Sequence, residues 1–69
     1  MNLSARNQFS GTVKEVKLGN IMAEVVVDIG GGHEVVAAIT RGSAERLGLV
    51  QGSTVMVVSK ATEVLIATN

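Results

Sequence analysis

The sequence predicts an all-β domain, and three observations carry that prediction. β-branched runs recur along the chain, separated by glycine and never by proline. A single segment reads as helix, and it falls after the third run. The resulting order, three strands, a short helix and two further strands, matches a five-stranded Greek-key barrel of the OB type, with its helix between strands three and four.

Each element has a local cause. Phe9 to Leu18 reads as the first strand, with Val13 and Val16 among polar neighbours. Gly11 inside it marks a bulge or a close approach of another backbone. Gly19-Asn20 reads as a tight turn, both residues tolerating positive φ. Met22 to Ile29 follows, with Ala23, Val25, Val27 and Ile29 on one face and Met22, Glu24, Val26 and Asp28 on the other. Gly30-Gly31-Gly32 reads as a second, looser turn. His33 to Ile39 is apolar on both faces, a pattern that calls for cover on both sides. Thr40 to Gly48 reads as a helix of about two turns, with Thr40 as N-cap and Gly48 at C′. Val55 to Ser59 and Val64 to Ala67 are the predicted fourth and fifth strands.

With 69 residues, residues 1–69 read as one domain. A chain this short buries only about 60% of the surface it exposes unfolded. Disulfides, a metal or oligomerisation usually make up the difference. There is no cysteine and only one histidine, His33, so thiolate and zinc sites, with their need for about four N/S ligands, are excluded. Oligomerisation is left. Because 46% of residues are hydrophobic, much apolar surface is expected between subunits.

Net charge is zero and Phe9 is the only aromatic residue. Both features speak against nucleic acid, which selects for basic excess and stacking platforms. No run approaches the roughly 18 apolar residues of a membrane span. The start Met1-Asn2-Leu3-Ser4 lacks the basic and apolar regions of a secretory signal, and a cytoplasmic protein is expected.

Four features offer donors or positive charge to a tetrahedral oxyanion. Ser4-Ala5-Arg6-Asn7-Gln8 puts a guanidinium fork at Arg6 and a hydroxyl at Ser4 on one side of an extended chain; it also reads as a plain polar terminus. The helix start has hydroxyls at Thr40 and Ser43, free amides and the flexible Gly42; it also reads as simple capping. Lys60 ends an apolar strand, and also reads as a solvated lysine. Arg41, in the first helical turn, is a ligand or a surface residue. Gly30-Gly31-Gly32 lacks the Lys-Ser/Thr and the following helix of a phosphate-binding loop. His33 beside Glu34 reads as a turn-flanking residue rather than an acid–base pair. No nucleophile, base and metal set can be assembled, so an enzyme is not expected.

These same segments resemble a known family. Ser4-Ala5-Arg6-Asn7-Gln8 is similar to the opening signature of the Mop domains, or molbindins. Ala38-Ile39-Thr40 through Ser43, then Arg46-Leu47-Gly48-Leu49, resembles their short-helix segment, and Gly52-Ser53 with Val57-Val58-Ser59-Lys60-Ala61 resembles their closing strands. The resemblance implies a homohexamer built as a trimer of dimers. It implies molybdate or tungstate bound at subunit interfaces, for intracellular storage or homeostasis, with no other cofactor. The interface site it implies uses Ser4, Arg6, Thr40, Ser43 and Lys60, with no direct protein–metal bond. A second type of site lies near the threefold axis in the family; backbone amides at Gly19-Asn20 or the Gly30 turn are the candidates for it here. Two alternatives are a nucleic-acid-binding OB module and a regulatory subunit that senses the anion.

Overall fold

A computed structural model describes residues 2–69. Four antiparallel strands form one sheet in the order β3-β2-β1-β4: β1 is Asn7–Leu18, β2 Met22–Gly30, β3 His33–Thr40 and β4 Thr54–Ser59. A six-residue helix, α1 (Arg41–Arg46), sits between β3 and β4, and a single 3₁₀ turn, Ala61–Glu63, follows β4. The four strands and the helix fall where the residue pattern put them.

The inner face is defined by register. Val13 pairs with Val27 and Val16 with Val25. Val27 pairs in turn with Val35, Val25 with Ala37 and Ala23 with Ile39. Val13, Val25 and Val27 form the buried centre, and Leu49, Val55 and Val57 pack against it from the far side of the chain. The β1–β2 register shifts between Val13 and Glu15, which places a bulge at Lys14 and bends β1 around this core. At Gly11 the cause is close approach: a Cβ there would lie 2.8 Å from the Asp28 carbonyl oxygen.

The two hairpins reverse the sequence expectation. The Gly30–His33 pair closes a two-residue loop in which Gly31 and Gly32 have φ of +64° and +79°. Positive φ at both central residues is what a tight type I′ hairpin requires, so this turn is the tight one. At Gly19 the φ is not positive, and neither is that of Asn20. Glycine is needed there for space, because a Cβ would meet the Met22 carbonyl oxygen at 2.9 Å. Two of the amides proposed for a second anion site, those of Gly19 and Gly30, are already engaged. Gly19 N–H donates to the Met22 carbonyl at 2.8 Å, and Gly30 N–H to Asp28 Oδ1 at 2.8 Å.

Both ends of α1 are built as its sequence dictates. The Thr40 hydroxyl accepts from the Ser43 amide at 3.1 Å. At the C-terminus Gly48 takes φ +64°, and Gly48 N–H bonds to the Glu45 carbonyl while Leu49 N–H bonds to that of Ala44. This is the Schellman arrangement. It turns Leu49 back onto the core next to the buried Ala44.

The predicted fifth strand and barrel closure are not found in the single chain. Val64 is extended, but no strand of the sheet pairs with residues 64–67, and Leu65 and Ile66 are 92% and 87% exposed. The physical reason is the missing neighbour: β3 and β4 are the two edges of the sheet, and the segment that would bridge them projects beyond the 3₁₀ turn instead. The second side of β3 is also bare, Val36 being 60% exposed. In all, the chain exposes 5452 Å², about a third more than the roughly 4,100 Å² of a compact 7.1 kDa monomer. Its radius of gyration is 12.7 Å, where about 11 Å is usual at this length.

Candidate functional site

The register of β1 with β4 decides where the predicted residues meet. Asn7 pairs with Ser59, so Arg6 and Lys60 emerge side by side, one residue beyond the ladder on adjacent strands. Together with Ser4, Ala5, Asn7, Ala61 and Thr62 they line a cleft of about 390 Å³. No acidic residue lines it. Among the described residues, the ion pairs are Lys14–Glu34, Lys17–Glu15 and Arg41–Glu45; neither Arg6 nor Lys60 takes part in one. Two neighbouring cations without a counter-charge repel each other, and a dianion between them removes that cost. Thr62, which lines the same cleft, is not singled out by the sequence. Its signal was proximity to Lys60 across a 3₁₀ turn, which no local pattern announced.

Thr40 and Ser43 lie elsewhere. Thr40 pairs with Met22, next to the Leu18–Ala23 pair that ends β1. Arg41 fixes the helix start to that end of the sheet, its amide donating to the Ile21 carbonyl at 2.7 Å and its Nη1 to the Gly19 carbonyl at 3.3 Å. β1 runs from Asn7 to Leu18; at about 3.3 Å per residue, its two ends are on the order of 30 Å apart. The five predicted residues therefore form two groups at opposite ends of one chain: Ser4, Arg6 and Lys60 at one, Thr40 and Ser43 at the other. A single tetrahedral anion cannot touch both groups of the same copy.

Within the second group the hydroxyls are organised. The Ser43 amide donates to Thr40 Oγ1, and the Thr40 hydroxyl donates in turn to Ser43 Oγ at 2.8 Å. Nothing fills the space around Gly42 within 4 Å of where a Cβ would stand, so the backbone there is open to close approach. Arg41 is neutralised by Glu45, Nε to Oε1 at 3.2 Å, which favours its surface reading over a ligand role.

A cavity of about 510 Å³ lies at the β2–β3 hairpin, between Lys14, Asp28, the three glycines, His33 and Glu34. It does not suit an anion. Its lysine is hydrogen-bonded to Glu34, and that bond, reinforced by the charges of Glu34, Asp28 and Glu15, raises the Lys14 pKa above its ordinary value. The positive charge is already matched, and Asp28 remains. Among the described residues, no three His, Asp or Glu side chains converge to hold a metal ion, and no helix is long and apolar enough to cross a membrane.

Comparison with known proteins bears on the family of the chain. The TOBE domain model matches residues 3–66. The chain is 44% identical over 66 residues to molybdenum-pterin-binding protein 1 of Clostridium pasteurianum, covering 96% of this chain and 97% of that protein. Its fold is similar to that of a molybdate-binding protein from Sporomusa ovata, with a TM-score of 0.92 and 44% identity over 99% of this chain and 100% of the other. It is also similar to the cytoplasmic molybdate-binding protein ModG, solved with molybdate bound (TM-score 0.84, 46% identity), over 88% of this chain and 43% of that one. Matched along nearly its whole length, with the opening run, short helix and closing strand in order, this chain belongs to the TOBE domain family and, within it, to the Mop type.

Proposed function

We propose that residues 1–69 form one domain that binds molybdate or tungstate at seams between copies of itself, in the cytoplasm, for storage or homeostasis and without chemistry on the anion. The observation that carries this reading is the cleft at the start of β1, where Arg6 and Lys60 stand together with no acid and no ion-pair partner among the described residues. Two positive charges match a dianion, and Arg6 adds a planar fork suited to its oxygens.

The seam follows from the split of the donors. Thr40 and Ser43 complete the site only if they come from a second copy. The large exposed area supports such contact, since a standard interface removes about 800 Å² per partner. Apolar residues flank both halves: Leu18, Ile21 and Val50 at the helix end, Leu3, Phe9, Leu65 and Ile66 at the cleft end are all at least 45% exposed. Burying the anion between copies lowers the local dielectric and strengthens each charge-assisted bond. A homohexamer, a trimer of dimers, is the assembly we assign to it. The molybdate-binding relatives support the choice of anion.

Thermal unfolding of the ligand-free protein with molybdate, tungstate, sulfate and phosphate tests the reading, together with its mass in solution and its molybdenum content as purified. Molybdate and tungstate at about 100 times their Kd are expected to add about 2.7 kcal/mol of stability, and so to raise Tm well beyond any effect of sulfate or phosphate. Equal response to all four anions, or to none, counts against it.

A further inference from the structure

We infer that Arg46 is a positioning residue of the oxyanion site: it holds Ser43 so that the serine hydroxyl donates outward to the anion, and it brings a further positive charge to the seam. This rests on the reading that Ser43 contacts the anion, and it extends that reading to a side chain outside the five residues already placed there.

Hydrogen-bond capacity decides which hydroxyl serves the anion. A serine hydroxyl accepts two hydrogen bonds and donates one. Ser43 Oγ accepts from Thr40 Oγ1 at 2.8 Å and from Arg46 Nη2 at 3.5 Å. Both acceptor positions are filled, and the remaining capacity is a donor. Molybdate and tungstate dianions present only acceptors. Thr40 has spent its own proton on Ser43 and accepts from the Ser43 amide at 3.1 Å. Of the two hydroxyls, Ser43 is therefore the one with a proton to give, and two donors polarise it in that direction.

Charge points to the same residue independently of the hydroxyl. α1 carries two arginines and one acid, Glu45. Arg41 takes that acid, and its guanidinium is also tied to the Gly19 carbonyl. Arg46 is in none of the ion pairs among the described residues. The helix end thus presents one unmatched cation, three residues from Ser43 and on the same face of the helix. When Thr40 and Ser43 of one copy face Arg6 and Lys60 of another, Arg46 supplies a positive charge from the hydroxyl side.

Calorimetric titration of the ligand-free homo-oligomer with sodium molybdate tests this, using Arg46→Ala, Arg46→Lys, Ser43→Ala and the Ser43→Ala/Arg46→Ala double variant. Arg46→Ala should weaken binding about tenfold, the worth of one charged hydrogen bond, with ligand-free Tm and mass unchanged. Arg46→Lys should recover part of the loss. Ser43→Ala should cost less in the Arg46→Ala background than alone, because the two act through one contact. Arg46→Ala binding within twofold of the unmodified protein while Ser43→Ala weakens it overturns the Arg46 inference alone. So does full additivity of the two substitutions, or loss of the ligand-free assembly in Arg46→Ala. Unchanged binding in both Ser43→Ala and Arg6→Ala overturns the site itself.

Discussion

An Arg6→Ala variant is expected to lose about a hundredfold in molybdate affinity, the order of 3 kcal/mol that removing one member of a desolvated charge pair costs. The loss should come with no loss of fold. In the ligand-free chain Arg6 makes no ion pair among the described residues, and its neighbour across the strand ends is another cation, Lys60. Removing the guanidinium there relieves repulsion, so ligand-free Tm should hold or rise slightly while the molybdate-induced shift disappears. That opposite movement separates a ligand-binding arginine from a structural one. Arg6→Lys should recover only part of the affinity, because an ammonium keeps the charge but not the two-pronged geometry. Calorimetry checks the affinities and thermal unfolding checks the fold. Arg6→Ala affinity within twofold of the unmodified protein is the contrary result.

Gly11→Ala should be the most destabilising small substitution in the chain. The added Cβ would stand 2.5 Å from Val27 Cγ1, 2.8 Å from the Asp28 carbonyl oxygen and 3.3 Å from Ile29 Cγ2. Non-bonded carbons prefer about 3.5–4.0 Å. Val27 is 3% exposed and belongs to the buried centre, and the Asp28 carbonyl is backbone, so neither yields cheaply. Overpacking of this kind costs typically 1–3 kcal/mol. The upper end applies here, because β1 and β2 must both give way. At this chain length it corresponds to a fall in Tm of more than about 10 °C, and in a domain with so small a core it should also reduce the fraction assembled. Gly11→Val should prevent folding. A Tm within about 2 °C of the unmodified protein for Gly11→Ala would mean that β1 and β2 are not so tightly apposed.

The fold was legible where local chemistry decides it. Alternating β-branched residues placed four strands, and Thr40 and Gly48 marked the two ends of α1 because a hydroxyl cap and a left-handed glycine leave few other uses for those residues. Gly11 was legible only as a bulge or a close approach, and the contact with the Asp28 carbonyl oxygen makes it the second. The turns were misread because glycine serves two needs that look alike in sequence. At Gly31-Gly32 it supplies positive φ, and at Gly19 it supplies room beside the Met22 carbonyl. Only the strand register separates the two. Val64 to Ala67 has the composition of a strand, but a strand also needs a paired edge, and this segment pairs with neither free edge of its own sheet.

The site was half legible. Residue chemistry and family resemblance nominated Ser4, Arg6, Thr40, Ser43 and Lys60, but nothing in their spacing says which end of a sheet each will occupy. The Asn7–Ser59 register brings the first, second and last together, while the Met22–Thr40 register carries the other two to the opposite end. Arg46 is not legible in the sequence, because its contribution runs through Ser43 and the absence of a carboxylate partner, neither of which is a sequence motif.

The claim that the anion is shared between copies is tested most directly by mixing two defective chains. Arg6→Ala retains Thr40 and Ser43; Ser43→Ala retains Arg6 and Lys60. If each site draws one group from either side of a seam, then unfolding and reassembling the two variants together creates seams in which an Arg6-bearing cleft meets an intact Ser43. Calorimetric titration of the mixed assembly with molybdate should then recover a fraction of full-affinity sites that neither variant shows alone. If the mixture binds no more tightly than the two variants titrated separately, although native mass spectrometry shows that their chains have exchanged, the site lies within one copy and the account is wrong.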